Sequence, residues 1–378
     1  LAFRQTGDFE RVARRQLPRA IFDFIQGGAG SEEAQRNNLA AFSRYFLVPR
    51  VLRAPLERSS GVRFLGVDYA VPFGISPMGL GDLAWPGTDH ALLRTAANKR
   101  LPYTLSAAGS TTIERAAELA DGMLWFQLYV GADFKVSQRL MERAAAAGVR
   151  NLVLTVDAAH PGLRWRDRRN GFGEPIWRLP RLWLDYAWHP RWSLSTLARG
   201  LPQMVNLAVG DERLVGPEAT RLFMASMVQA KLNWTMLETI RAIWPHQLIV
   251  KGVLAVEDAV DLKISGVDGL VISNHGGRQL GSVVSPLDVL PAIRAAVGLD
   301  MPLILESGVR SGEDVIKALL LGANFVLLGR PWLYAAAAAG PDHGGQILAT
   351  MLENEVDNTL AQLGCTSVPT SADVGLIR

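Results

Sequence analysis

The octapeptide Ser273–Asn274–His275–Gly276–Gly277–Arg278–Gln279–Leu280 sets an imidazole three residues before a guanidinium, with two glycines between them. An imidazole titrating near neutrality can take a proton, and a guanidinium can hold a carboxylate through two parallel hydrogen bonds. Together these groups suit proton removal from a small organic acid. Of the six histidines, His90, His160, His189, His246, His275 and His343, two follow directly on an apolar run that reads as a strand: His160 and His275. His160 reads as a loop residue. A lone histidine is more often structural, so the neighbouring arginine and glycines are what mark His275 as a base. Asp157, at the end of another apolar run, could stabilise the imidazolium once it forms.

Further polar residues end the other apolar runs: Ser76–Pro77–Met78–Gly79, Ser106, Gln127, Tyr129, Thr155, Lys251, Glu306–Ser307–Gly308 and Gly329–Arg330. The turns at Gly308 and Gly329 let backbone N–H groups approach an anion, with Arg310 and Arg330 supplying charge. These features read as a phosphate site, the alternative being surface pairing of the two arginines with helix-end carboxylates. Lys251 ends an apolar strand and needs a negative partner there. A reduced flavin would serve, and so would a salt bridge to Asp157 or Glu306.

The elements that must position these groups are eight apolar runs: 71–79, 102–107, 124–130, 151–157, 247–253, 269–275, 302–308 and 324–330. Continuous apolar runs suit strands covered on both faces, as in parallel sheets. Between them, 89–99, 112–119, 135–147, 255–263, 286–297 and 312–321 repeat apolar residues at helical spacing. This alternation predicts an α/β fold, a (β/α)8 TIM barrel, whose functional groups converge at the C-terminal strand ends. An open doubly wound sheet would begin with a glycine-rich dinucleotide turn, and no GxGxxG follows any run. Residues 1–70, an N-terminal helical segment followed by FLGVDYA, are expected to cover the barrel's bottom. Residues 158–230 form a long insertion after strand 4, and no low-complexity linker divides the chain, so residues 1–378 read as a single domain.

Composition narrows the function classes. With 39 basic and 36 acidic residues, the formal net charge of +3 carries no concentrated basic stripe, which disfavours nucleic-acid binding. A single cysteine, Cys365, excludes an internal disulfide and a cysteine-rich zinc site, so a reducing compartment, the cytoplasm, is the simplest reading. The first thirty residues read as amphipathic helix rather than signal peptide, and no apolar run approaches the roughly 20 residues that span a bilayer. Within the insertion, Trp165, Trp177, Trp183, Trp188 and Trp192 lie among Arg168, Arg169, Arg178, Arg181, Arg191 and Arg199. That makeup suits peripheral contact with the inner face of a membrane, an active-site lid or an oligomer contact.

At 273–280 the sequence resembles the active-site signature of the FMN-dependent 2-hydroxy-acid oxidases and dehydrogenases, and the likeness runs from Leu17–Pro18 to Leu363–Gly364–Cys365. The resemblance implies an FMN site in which Pro77, Met78, Gly79, Ser106, Gln127, Thr155, Lys251 and Ser273 line the ring and ribityl chain. Glu306 falls in the same cofactor set, and Gly308, Arg310, Gly329 and Arg330 would hold the phosphate. Tyr129 would hydrogen-bond the substrate, Arg164 and Arg278 would clamp its carboxylate, and His275 backed by Asp157 would be the base. The stretches His189–Leu194 and Trp244–His246 resemble the mandelate-oxidising branch, and glycine at 79 is similar to dehydrogenases rather than oxidases. The implied reaction is oxidation of an (S)-2-hydroxy acid to the 2-oxo acid, with electrons passed to a quinone or another carrier. A homo-oligomer is the expected assembly. An oxygen-using oxidase and a flavin-binding scaffold without turnover are the rival readings.

Four positions depart from the family pattern. Phe24 replaces a tyrosine, Glu306 an aspartate, Gly281 an aspartate and Trp165 an acidic residue. The missing hydroxyl at Phe24 is worth about 0.5–1.5 kcal/mol of substrate contact, or up to about 3 kcal/mol if charge-assisted.

Overall fold

A computed structural model describes residues 3–53, 57–172, 179–207, 232–369 and 374–378. Its centre is a closed parallel barrel of eight strands, and each strand is short and almost wholly buried, because helices cover its outer face and side chains fill its lumen. The strands are β4 (Phe73–Ile75), β5 (Tyr103–Ser106), β6 (Leu124–Leu128), β7 (Asn151–Thr155), β8 (Gln247–Val253), β9 (Gly269–Ile272), β10 (Leu303–Glu306) and β11 (Phe325–Leu328). They follow one another around the barrel in chain order, and β11 closes on β4 with Leu327 opposite Gly74. All eight apolar runs are therefore strands. The residues trimmed from each run are the turn residues that carry the polar groups.

Outside the barrel, β1 (Phe46–Val48), β2 (Val62–Phe64) and β3 (Val67–Tyr69) precede it in the chain. β2 and β3 form a hairpin whose turn, Leu65–Gly66, has positive φ at both residues, the backbone that matches strand twist. Phe64 stacks on Phe325 at 5.0 Å, and Tyr69 accepts a 3.1 Å hydrogen bond from the Trp125 indole. This aromatic group closes the N-terminal end of the barrel, as expected of FLGVDYA. A fourth outer strand, β12 (Gly375–Ile377), pairs with β1.

The preceding helices do not cover the bottom, and here the expectation for residues 1–70 is corrected. Helices α1 (Thr6–Gln16), α2 (Arg19–Gln26) and α3 (Glu33–Phe42) reach to the opposite end. The backbone of the segment joining α2 to α3 is stitched to the loops at the mouth: Ala29 N–H donates to Gly277 O, Gly30 N–H to Leu163 O and Ala34 N–H to Gly281 O. Buried backbone groups need partners, and the loops after β7 and β9 supply them. This packing also accounts for Gly281, since a Cβ there would lie 2.8 Å from Ala29 O and 2.9 Å from Gly30 Cα.

The barrel's outer helices match the helical spacing closely: α4 (Thr88–Lys99), α5 (Ile113–Ala120), α6 (Phe134–Ala146), and, beyond the insertion, α11 to α13. Those three are Val256–Ile264, Pro286–Val297 and Gly312–Leu320. The insertion contributes α7 (Trp165–Arg169), α8 (Pro180–Trp188) and α9 (Pro190–Arg199). Its remainder, including Trp177 and Arg178, lies outside the described residues. Three helices lie beyond the expected set: α10 (Trp234–Ile243), α14 (Arg330–Ala339) and α15 (Pro341–Leu363). α10 carries a legible start, because Asn233 caps it by accepting from Met236 N–H.

The stitched loops leave one point without slack. A Cβ on Gly162 would lie 2.0 Å from the carbonyl oxygen of Arg278, a backbone atom that cannot move alone. Gly162→Ala is expected to cost about 1–3 kcal/mol of stability and to raise KM by displacing Arg278. Thermal unfolding and steady-state kinetics of the variant check both effects.

Candidate active site

β9 ends at Ile272, and the chain then turns sharply, placing His275 at φ 57°, a left-handed conformation that side chains with a Cβ disfavour. Several bonds hold it there. His275 N–H donates to Ser273 Oγ at 3.0 Å. Asn274 exchanges a reciprocal amide pair with Asn38 of α3, at 2.8 and 2.7 Å, and accepts from Gly277 N–H. The imidazole Nδ1 lies 3.0 Å from Asp157 Oδ1.

Burial alone would raise the Asp157 carboxyl, but the adjacent His275 and Lys251 outweigh it and hold it below the ordinary carboxylate value. The ionised Asp157 is placed to accept a hydrogen bond from Nδ1, with Nε2 turned away from it. Nε2 faces the Tyr129 hydroxyl at 3.5 Å. Burial, reinforced by Asp157 and Glu306, pushes the Tyr129 phenol up to about 12, so it remains a donor.

The two expected carboxylate ligands stand together. Arg278 is half-buried, and its Nη1 donates to Phe24 O at 2.7 Å and to Gly27 O at 2.9 Å. Burial, with repulsion from Arg164 and Arg330, lowers its pKa well below the usual arginine value. Such crowding of positive charge calls for an anion. Arg164 is held by Asp167 one helical turn later on α7, with Nη1 3.0 Å from Oδ2. Both guanidiniums lie over the ring of Phe24, at 5.1 Å for Arg278 Cζ and 5.6 Å for Arg164 Cζ. Phe24 also stacks on Phe172, with centroids 4.2 Å apart and planes inclined by 6°. A phenyl ring thus keeps the cation–π and stacking contacts while forgoing a hydroxyl.

The remaining strand ends form a buried polar belt. Ser106 Oγ donates to Gln127 Oε1, and Gln127 Nε2 donates to Thr155 Oγ1, each at 2.9 Å. Pro77, Met78 and Gly79 follow β4 and are half-buried. A methyl at Gly79 would press on Ala108 Cβ at 3.2 Å. Lys251 forms the salt bridge that its sequence position left open, with Nζ 2.7 Å from Glu306 Oε2 and 3.2 Å from Ser273 Oγ.

The ends of β10 and β11 suit an anion. Ser307 and Gly308 both have positive φ, and a Cβ on Gly308 would lie 2.3 Å from Asn38 O. α13 is closed by its own capping box of Ser311 and Asp314, whereas α14 begins after Gly329 with no side-chain cap; Pro331 has no N–H and Trp332 N–H donates to Gly329 O at 3.0 Å, which leaves the Arg330 N–H for an anion. Beside Gly329, the Ser76 hydroxyl is buried and has no partner among the described residues. Arg310 Nη1 meets only the adjacent Val309 O among the described residues. The Arg330 guanidinium, expected to supply charge to a phosphate, is engaged by backbone carbonyls. Its three nitrogens donate to the carbonyls of Ile25, Gly276 and Gly27, so it ties α2 to the His275 loop.

Sequence reasoning missed Asp167, Asn38 and Phe172. The Arg164–Asp167 spacing of one helical turn was a readable signal for the first. Nothing in the sequence marks Asn38 as the partner of Asn274.

The insertion's tryptophans divide. Trp183 and Trp188 on α8 are exposed, together with Leu184, Leu194 and Leu197, and Trp165 is about half exposed. Trp192 turns inward and donates its indole N–H to Leu83 O at 3.0 Å. No described helix is long and apolar enough to cross a membrane.

Comparison with known proteins agrees with this geometry. The family model for FMN-dependent dehydrogenases matches residues 13–374. (S)-Mandelate dehydrogenase of Pseudomonas putida is 38% identical over 361 residues, covering 96% of this chain and 90% of the relative. L-Lactate dehydrogenase of Pseudomonas syringae pv. syringae is 38% identical over 366 residues, covering 96% and 95%. A crystal structure of (S)-mandelate dehydrogenase described as a monotopic membrane protein superposes with a TM-score of 0.94 at 37% identity, covering 99% of this chain and 100% of that one. The open α14 terminus, the orphaned Ser76 hydroxyl and the polar belt at the mouth fit the FMN that such a family uses. The chain belongs to the FMN-dependent dehydrogenase family and is an enzyme that oxidises 2-hydroxy acids.

Proposed function

We propose that the substrate is an (S)-2-hydroxy acid bearing an aromatic group, mandelate-like, with His275 as the base and a membrane-borne quinone or similar carrier as the electron acceptor. The observation that carries this reading is the grouping of His275–Asp157, Tyr129 and the Arg164–Arg278 pair around the Phe24–Phe172 stack. The apolar aromatic wall beside a carboxylate clamp favours an aryl substituent over the methyl of lactate.

Bound FMN would supply the two-electron acceptor for the substrate's carbon. Pro77, Met78, Gly79, Ser106, Gln127, Thr155, Lys251, Ser273 and Glu306 would line its ring and ribityl chain. Gly308, Arg310, Gly329 and the N–H of Arg330 would take its phosphate. The chain's own residues do the rest. Arg164 and Arg278 fix the carboxylate, Tyr129 donates to an oxygen of the substrate, and His275 Nε2 takes the proton. Asp157 stabilises the imidazolium that results. His275→Ala is expected to slow flavin reduction by roughly two to four orders of magnitude while the flavin stays bound, and near-normal reduction in stopped-flow absorbance would end the assignment.

Substrate and acceptor are tested separately. Anaerobic bleaching of the yellow protein by a panel of mandelate, lactate and glycolate should be fastest with (S)-mandelate; a preference for lactate would reassign the substrate. Reoxidation by air should be slow beside turnover with a quinone analogue, and peroxide formation at the turnover rate would favour the oxidase reading.

The exposed tryptophans and leucines of α8 and α9, next to the exposed Arg181, Arg191 and Arg199, support a peripheral membrane contact. Sedimentation with anionic vesicles at low salt should capture the protein, and Trp183→Ser with Trp188→Ser should release it. An oligomer contact instead would leave vesicle binding absent and change the subunit count in the double variant.

A further inference from the structure

Lys251 and Glu306 are not on neighbouring strands. Lys251 lies near the end of β8, opposite Val271 of β9, and β9 pairs in turn with β10, where Leu305 faces Ile272. Two strand spacings, about 9.5 Å of backbone, separate the two elements. The side chains close this gap by arching over Ser273: Lys251 Nζ reaches Glu306 Oε2 at 2.7 Å, and Ser273 Oγ bonds to both. Both charged side chains are buried. An aspartate at 306 would fall one C–C bond, about 1.5 Å, short of the same contact. The extra methylene of glutamate is therefore what makes a direct ion pair across β9.

The pair stays ionised. Burial opposes charge on each partner, yet the ammonium holds the Glu306 carboxyl below its ordinary value and the carboxylate holds the Lys251 ammonium above its own. A lysine that would otherwise present a bare positive charge to the cofactor end of the barrel is matched by a full negative charge at contact distance.

We infer that Glu306 is a positioning residue that holds Lys251 across β9 and offsets its charge, lowering the reduction potential of bound FMN. An electron-rich cofactor is stabilised by nearby positive charge, so cancelling that charge favours the oxidised form. The inference rests on the placement of Lys251 beside the flavin. Glu306→Gln, which keeps the shape and removes the charge, is expected to raise the two-electron midpoint potential by roughly 30 mV or more, a tenfold shift in the equilibrium. It is also expected to tighten the binding of sulfite to the oxidised flavin. Glu306→Asp, which keeps the charge but shortens the reach, should give a potential between those of the glutamine variant and the wild type, and it keeps the test open if Glu306→Gln releases its flavin. Lys251→Met should lower the potential and abolish the effect of a second substitution at 306. If Lys251→Met lowers the potential while neither substitution at 306 raises it, the role of Glu306 is overturned. If Lys251→Met leaves the potential unchanged, the placement of Lys251 fails, and the inference with it.

Discussion

Buried positive charge is the constraint around which this barrel mouth is organised. Lys251 is fully buried, Arg278 and Arg330 are half-buried, and Arg164 stands close beside them. Taking cations into a medium of low dielectric constant is costly unless each meets a partner. The partners come from widely separated parts of the chain: Glu306 for Lys251, Asp167 for Arg164, and backbone carbonyls of α2 and its following turn for Arg278 and Arg330. The carbonyls give dipoles rather than full charges. Burial and Arg310 consequently leave Arg330 lowered to about 10, and neither Arg278 nor Arg330 meets a carboxylate at salt-bridge distance among the described residues. A carboxylate substrate and a phosphate-bearing cofactor are the anions that such an imbalance would attract.

Much of this was legible in the sequence because parallel barrel strands are buried on both faces and so read as uninterrupted apolar runs. Each run ended where the structure places a turn, and the polar residues at those ends do gather in one mouth. What could not be read was the placement of the N-terminal helices. Their apolar spacing says that one face is covered, but it does not say by which end of the barrel. The answer lies in the carbonyls at Phe24, Ile25 and Gly27, which accept from the guanidiniums of Arg278 and Arg330, and carbonyls leave no mark in a sequence. Trp192 departs from its surroundings for a related reason: it belongs to an aromatic, arginine-rich insertion, yet its own ring packs inward against the loop after β4.

The departures from the family pattern become intelligible as local packing. Gly281 sits where Ala29 and Gly30 leave no room for a side chain. Phe24 trades a hydroxyl for a stacked aromatic wall beside two guanidiniums. Trp165 lies under the Arg168 guanidinium at 5.4 Å, on a half-exposed surface. Glu306 uses its additional length to cross a strand. Three of these four changes exchange a polar or charged contact for shape, which places this chain's individuality in the walls of the pocket more than in its chemistry.

The barrel's seam gives the cofactor end a second significance. β4 and β11 are the first and last barrel strands in the chain, and they meet through Ser76 N–H and Leu328 O at 2.8 Å. The ring therefore closes through a pairing of strands far apart in the chain, the kind of non-local contact that forms slowly. Ser76 and Gly329, on opposite sides of that seam, face the same anion-receptive point. A phosphate seated there would bridge the two ends of the ring, acting as a clasp on a bracelet whose links were assembled in order.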